Sequence, residues 1–324
     1  MKKLLISIVT TACSATTGMS FAQTKWDLPS GYGANTFQVQ NLMLFADGVD
    51  KATAGKLKIT VHPNASLFKA NEIKRAVQSA QTPVGEFILS GAANEAPVFG
   101  VDSIPFLATS YQDAKRLDTA SRALLVKTLA AQGMKLLYTV PWPPQGLYSN
   151  KPVASMKDLK STKMRAYNPA TSFIATSLGA QPVTIQLAEL PAALATGGVD
   201  NFLTSSASGV DSKLYESVKY FYDVNAWLPR NAVVVNQKAF EGLYKLLQDA
   251  VLKAAADAEA RGWKVSEEKD AEYMRELAVK GMKIDTTSEG LKKELKVIGD
   301  RMTADWLKLA GDEGKTIIDA FNAK

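Results

Sequence analysis

One arginine offers the clearest chemistry in this chain. Arg165 sits in Lys163-Met164-Arg165-Ala166-Tyr167-Asn168-Pro169, a short strand-like stretch that a proline brings to a stop. A guanidinium is planar, stays charged at any physiological pH and can grip both oxygens of a carboxylate at once. From the residues alone Arg165 has two readings: an anchor for a ligand carboxylate, or an ion pair with a surface Asp or Glu. Other chemistry is scarce. His62 is the only histidine and precedes a proline at a strand end, so Ser-His-Asp and Cys-His arrangements lack their parts. There is no metal-ligand spacing and no glycine-rich phosphate cradle, and nothing asks for a cofactor. A pair of carboxylates that meets only in three dimensions is the one catalytic arrangement left open. An enzyme is not expected.

The first residues indicate where such an anchor would work. Lys2-Lys3 precede the apolar run Leu4 to Val9, and small and polar residues continue to Ser20-Phe21-Ala22, the pattern of a secretory signal cut after Ala22. The run is too short to span a bilayer and remain there. Cys13, the only cysteine, falls inside this leader, so the exported chain would carry neither thiol nor disulfide. Cys13 also allows a lipoprotein reading, although a threonine stands where an aliphatic residue usually lies three positions before such a cysteine. Loss of Lys2 and Lys3 would bring the formal net charge from +6 to +4, and no block of Lys and Arg remains, which argues against a nucleic-acid partner. No later stretch is apolar enough to cross a membrane, so no stable insertion is expected after cleavage.

Roughly 300 exported residues exceed what a single compact core organises, which predicts two lobes. Strand-like and helical segments alternate, the pattern of an α/β protein. Trp26 to Leu28 reads as a first strand, and residues 37–52 as a helix with Phe37, Met43 or Leu44, and Val49 facing the core. Leu57 to Val61 alternates as a strand, Ala70 to Ala80 is a helix with Ile73 and Val77 on one face, and Glu86 to Leu89 is a short buried strand. The similar lengths of these β-α steps favour a parallel sheet. Tyr111 to Gln132 is a long amphipathic helix ended by Gly133, and Met134 to Val140 is a strand. It runs into Pro141-Trp142-Pro143-Pro144, a stiff extended segment suited to a domain crossing. Beyond it lie the Arg165 strand, a helix from Ala170 to Leu178, a strand at 181–184, a helix from Leu187 to Ala195 and a strand at 199–203. That last strand opens into the polar run Thr204 to Gly209. Strands at 218–224 and 232–235 flank Trp227-Leu228-Pro229-Arg230, and residues 238–280 are almost wholly helical.

The chain resembles the extracytoplasmic solute-binding subunits of tripartite ATP-independent periplasmic (TRAP) transporters, the dicarboxylate-binding-protein type. The resemblance is carried by Phe45-Ala46-Asp47-Gly48 through Ala54-Gly55-Lys56, leading into Ile59 to Pro63. It continues through Ile104-Pro105-Phe106-Leu107, Ser161 to Arg165, Leu178-Gly179-Ala180-Gln181-Pro182-Val183, Glu189-Leu190, Ala193 to Gly197 and Val199-Asp200. It implies an α/β, two-lobed periplasmic-binding-protein fold with crossing hinge strands and long C-terminal helices spanning both lobes. The expected division is a signal peptide at 1–22, lobe I at 23–140 with a return segment at about 230–255, lobe II at 141–229, and helices at 237–324 packing across both lobes. The resemblance further implies a periplasmic protein of a Gram-negative bacterium. It would capture a small organic acid, hold the carboxylate with Arg165, and deliver it to TRAP membrane permease subunits. A sensing subunit that presents the same ligand to a receptor would look the same.

Two departures shape the expected ligand. A second arginine common in relatives is missing, since no arginine occurs from Ala123 to Met164, which points away from an acid gripped at both ends. After Asp200, where relatives carry amide and acid side chains, Asn201-Phe202-Leu203-Thr204-Ser205 offers small hydroxyls. The expectation is a monocarboxylate of the aromatic, keto or hydroxy acid class. Trp142, Tyr148, Phe202 and Trp227 are candidate aromatic walls, with ordinary core packing as the competing reading of each. Tyr167 shares a strand face with Arg165. Asn168 would reach the same side only if the chain turns at Pro169. Glu72 is either a cleft-facing acid or part of a solvated helix face.

Overall fold

The computed structural model describes residues 23–323; the leader and Cys13 lie outside the described residues. The chain first forms β1 (Thr24–Pro29), α1 (Phe37–Ala52), β2 (Leu57–His62), α2 (Ile73–Gln78), β3 (Val84–Ile88), α3 (Tyr111–Ala131) and β4 (Met134–Pro141). It then crosses into β5 (Gln145–Ser149), β6 (Lys163–Ala166), α4 (Pro169–Ser177), β7 (Gln181–Thr184), α5 (Leu190–Ala195), β8 (Asn201–Ser205), α6 (Ser206–Asp211) and β9 (Tyr220–Asp223). β10 (Arg230–Asn236) returns to the first group, followed by α7 (Gln237–Glu241), α8 (Lys245–Val279), β11 (Lys283–Thr286) and α9 (Glu289–Asn322). The result is a two-lobed α/β molecule with long C-terminal helices.

In the first lobe β1 and β2 pair in parallel, as the β-α steps predict. The other strands of this lobe form a separate three-stranded sheet, in which β10 enters antiparallel between β3 and β4, contrary to the expectation of a parallel sheet. A strand arriving from the other lobe has no β-α step to impose its direction, so local spacing could not reveal it. The second lobe has a six-stranded sheet in the order β11-β9-β5-β8-β6-β7. Its edge strand β11, short and half charged, carries no pattern that announces it. The expected strand at 199–203 begins two residues later, and the polar run that follows is no loop. Thr204 and Ser205 complete β8, and Ser205 caps α6 by accepting a hydrogen bond from Ser208 N.

α1 starts where the Thr36 side chain accepts from Val39 N, and it buries Val39, Leu42, Phe45, Ala46 and Val49 at helical spacing. Met43 and Leu44 lie off that stripe and are 41% and 52% exposed, contrary to the expectation that one of them faced the core. α2 is shorter than the predicted helix but buries Ile73 and Val77 as expected.

Both chain crossings run side by side. Trp142 N donates to Pro229 O (2.8 Å), Gln145 N to Trp227 O (2.9 Å) and Ala226 N to Gln145 O (3.1 Å), so the proline-rich segment and the return segment form one hydrogen-bonded ribbon. The last helices add further links. In α8, Val251, Ala255 and Ala258 join the core of the first lobe while Leu277 packs with Leu190, Phe202 and Phe221 of the second. In α9 the direction reverses: Leu291, Leu295 and Ile298 enter the second lobe's core, and Trp306, Ile317 and Phe321 the first's.

Gly299 marks the point where α9 passes from one core to the other. A β-carbon there would lie 2.3 Å from Pro105 O, a backbone atom that no side-chain rotation can move. Gly299→Ala should therefore destabilise the protein by on the order of 1–3 kcal/mol, outweighing the ~1 kcal/mol that alanine gains over glycine in a helix. Urea unfolding measures this; an unchanged or raised midpoint would show that α9 does not press on Pro105.

Candidate functional site

The carboxyl ends of β1, β3, β4, β6 and β8 open on one cavity of about 220 Å³ between the lobes, the usual place for a ligand in open α/β sheets. It is smaller than the ~300–1,000 Å³ of drug-sized pockets, so it suits a compact molecule. Gly31, Tyr32, Glu86 and Trp142 face it from one side and Arg165, Tyr167, Gln186 and Thr204 from the other.

Arg165 comes from β6, whose neighbour Met164 is turned into the apolar core of the second lobe. Strand alternation then sends Arg165 and Tyr167 to the same side, and the guanidinium lies 4.7 Å from the Tyr167 ring centroid. Arg165 is 3% exposed, and its one hydrogen bond to the protein among the described residues runs from Nε to Ile185 O (2.8 Å). No carboxylate of the described residues lies within salt-bridge distance of it. Burial pulls its pKa down to about 10, so it remains charged at neutral pH.

Arg230 shows what a structural buried arginine looks like in the same molecule. It is 1% exposed, its Nε donates to Asp102 Oδ2 (3.0 Å), its Nη1 pairs with Asp118 Oδ1, and its Nη2 reaches Ser121 Oγ (3.4 Å). The ion-pair reading that sequence left open for Arg165 belongs to Arg230 instead.

Opposite Arg165 the first lobe presents a polar network that sequence reasoning missed. Ser30 Oγ donates to Glu86 Oε2 (2.5 Å), and Asn231 Nδ2 donates to Glu86 Oε1 (2.9 Å). Asn231 Oδ1 in turn accepts from Trp142 Nε1 (3.0 Å) and Tyr32 OH (3.3 Å). Burial pushes the Glu86 carboxyl up to about 7, against the lowering effect of its two donors. The signal available in sequence was an acid inside the otherwise apolar strand β3, Val84–Ile88. Near the rim, Lys74 is buried and paired with Glu95, whereas Arg75 is exposed.

Of the sequence-predicted site residues, Arg165, Tyr167, Trp142 and Thr204 line the cavity. Six do not. Tyr148 is fully buried in the second lobe, stacked on Phe202 (4.9 Å between centroids, 9° apart) with its hydroxyl donating to Ser205 O. The Phe202 ring is thereby occupied in the core, and Ser205 is occupied as the cap of α6. Trp227 is buried in the second lobe's apolar core beside the crossing. Asn168 caps α4 by accepting from Thr171 N (2.7 Å) and also donates to Ser90 Oγ (2.8 Å), a hydrogen bond between the lobes. Glu72 is exposed and accepts from Lys69 N (3.4 Å), the solvated-face reading. Sequence patterning identified aromatic and polar residues near the cleft; it could not say which rings would find partners in the core.

Two lobes joined by a crossing ribbon, with a small cavity between them that a buried arginine lines, form the architecture of a periplasmic-type solute-binding protein. The DctP family model, bacterial extracellular solute-binding protein, family 7, matches residues 30–309, and the chain belongs to that family. A Bordetella pertussis extracytoplasmic solute receptor that binds pyroglutamic acid shares 51% sequence identity at a TM-score of 0.91, covering 93% of this chain and 100% of that one. A marine-metagenome TRAP solute-binding protein specific for pyroglutamate shares 45% identity at a TM-score of 0.91, over 93% of this chain and 99% of that one. Among curated sequences, a solute-binding protein of Albidiferax ferrireducens is 26% identical over 255 residues, 77% of this chain and 75% of that protein. These relatives are solute-binding receptors. Among the described residues no helix is long and apolar enough to cross a membrane, and no three His, Cys, Asp or Glu side chains are grouped to hold a metal.

The Glu86 environment has a measurable consequence. An acid whose folded pKa lies near 7, against 4.5 for the free group, keeps its proton in the folded state over a pH range where the unfolded chain has lost it. Its contribution is thus fully favourable below about 4.5 and fades as pH rises through 7, by on the order of 3 kcal/mol. In urea unfolding without ligand, the wild-type protein should lose stability relative to Glu86→Gln between pH 5 and pH 8. Parallel profiles for the two proteins would show that Glu86 titrates as an ordinary solvated acid.

Proposed function

We propose that the protein captures a small monocarboxylate, pyroglutamate (5-oxoproline) or a close relative, in the interlobe cleft and delivers it to a TRAP membrane permease. The observation that carries this reading is Arg165: a guanidinium 3% exposed, without a protein carboxylate among the described residues, on the wall of a small cavity. A ligand carboxylate would supply the missing anion through two parallel N–H···O contacts, in a site where lobe closure excludes water and strengthens the pair. Tyr167 would keep the guanidinium plane in place from below, Trp142 would form an apolar wall, and the Thr204 hydroxyl would serve a second polar group of the ligand.

Closure would be a motion about the two crossings, residues 141–144 and 224–229, between a first lobe of residues 23–140 with its return segment and a second of residues 141–229. The Asn168–Ser90 hydrogen bond would form part of the closed state. Such a motion needs a ligand that binds the closed arrangement better than the open one, and a carboxylate held by Arg165 while touching the first lobe meets that condition. The ligand class agrees with the two pyroglutamate receptors at 51% and 45% identity. Export to the periplasm of a Gram-negative bacterium through the leader at residues 1–22 completes the reading.

Calorimetric titration of the wild-type protein against pyroglutamate, keto acids, aromatic acids and dicarboxylates tests the ligand class, with tightest binding expected for pyroglutamate. Arg165→Ala should lower that affinity roughly thirtyfold or more, the ~2–5 kcal/mol associated with losing one partner of a buried charge pair. The same variant, without ligand, should be at least as stable as the wild type, because an uncompensated buried charge has been removed. Unchanged affinity in Arg165→Ala, or a dicarboxylate as the tightest ligand, would refute the reading.

A further inference from the structure

Glu86 is the one feature of the cavity that a carboxylate clamp does not require. It is 1% exposed, and no cation of the described residues pairs with it. An ionisable acid in such a place is disfavoured by burial, and an apolar residue would fill the strand at lower free energy. Its surroundings are nonetheless organised to keep it an acceptor. Tyr32 N donates to Ser30 Oγ (3.2 Å), which leaves the Ser30 hydroxyl hydrogen for Glu86. Trp142 Nε1 can only donate, so by bonding Asn231 Oδ1 it turns the Asn231 amide N–H2 toward Glu86. These two donors occupy two of the about four lone-pair sites of a carboxylate, and the group lies on the cavity wall with the rest.

The cleft is thereby polarised. Its second-lobe wall carries Arg165, which has no carboxylate partner among the described residues, and its first-lobe wall carries Glu86 together with the Lys74–Glu95 pair and Arg75. The Tyr32 phenol between them responds to both: after burial, Glu86 is the strongest influence raising its pKa, while Arg165 lowers it. We propose that Glu86, in its ionised form, determines specificity by accepting a hydrogen bond from an N–H donor of the bound acid and by repelling any second carboxylate. This deepens the reading of the cleft as a monocarboxylate site and rests on it. A lactam acid satisfies both walls, with its carboxylate at Arg165 and its ring N–H at Glu86. An acid of the same shape without a donor leaves buried acceptor sites unfilled, and a dicarboxylate sets two like charges together. The missing second arginine and the presence of Glu86 are then two sides of one selectivity.

The test uses the full exported chain and three probes: pyroglutamate, 3-oxocyclopentane-1-carboxylate, in which a CH2 replaces the ring N–H, and glutarate. Titration of the wild type at pH 8, where Glu86 is ionised, should show pyroglutamate bound at least tenfold more tightly than the carbocyclic acid, with glutarate weakest. In Glu86→Gln the preference for the N–H acid should shrink at least fivefold, and glutarate should gain relative to pyroglutamate. Equal wild-type affinity for pyroglutamate and the carbocyclic acid, with both lost in Arg165→Ala, would overturn the role of Glu86 and leave the carboxylate clamp standing. Absence of pyroglutamate binding to the wild type would overturn both. The wild-type comparison decides the matter by itself if Glu86→Gln does not fold.

Discussion

A guanidinium held out of water, with no carboxylate of the described residues within salt-bridge distance, is the constraint around which this molecule is arranged. Burial lowers the pKa of Arg165 from 12.5 to about 10, a penalty on the order of 3 kcal/mol on the charged form. The protein contributes the Ile185 carbonyl and the face of Tyr167, neither of which carries a charge. Arg230 is as deeply buried and is met by two aspartates, so the chain is able to neutralise a buried arginine where the fold requires it. Arg230 is thereby neutralised within the fold, whereas Arg165 keeps its charge on the cavity wall.

Keeping Arg165 in that state requires rigid support on both sides of the cleft. Met164 anchors β6 in the second lobe's core, so the side chains at 165 and 167 have one direction available. The crossing ribbon places Trp142 at the end of β4, and the Trp142 indole then orients Asn231, which orients Glu86. α8 and α9 each pass from one core to the other, in opposite directions, so the lobes are tied at their back while the cavity side is held by few contacts such as Asn168 to Ser90.

Much of this was legible in the amino-acid sequence, and unevenly so. Periodicity placed α1, α3 and α8, the resemblance implied the helix α9 beyond it, and the strand before Pro169 placed Arg165 and Tyr167 on a common face. Periodicity says little about partners in space: Met43 or Leu44 was expected in the core and both are exposed, and Tyr148 and Phe202, candidate cleft walls, stack on each other. The return of β10 to the first lobe was expected, but its antiparallel place between β3 and β4 and the edge strand β11 depend on partners far away in sequence, which local pattern cannot anticipate. Glu86 was passed over because its flanking residues describe a buried strand correctly. The acid within that strand was the anomaly, and its meaning depends on Ser30 and Asn231, 56 and 145 residues away.

The most direct measurement is a crystal structure of the wild-type protein soaked with or grown in pyroglutamate. Both carboxylate oxygens are expected within about 2.7–2.9 Å of the Arg165 guanidinium nitrogens, in a closed cleft. A ligand whose carboxylate lies elsewhere, with Arg165 turned to a protein acid, would contradict the central claim.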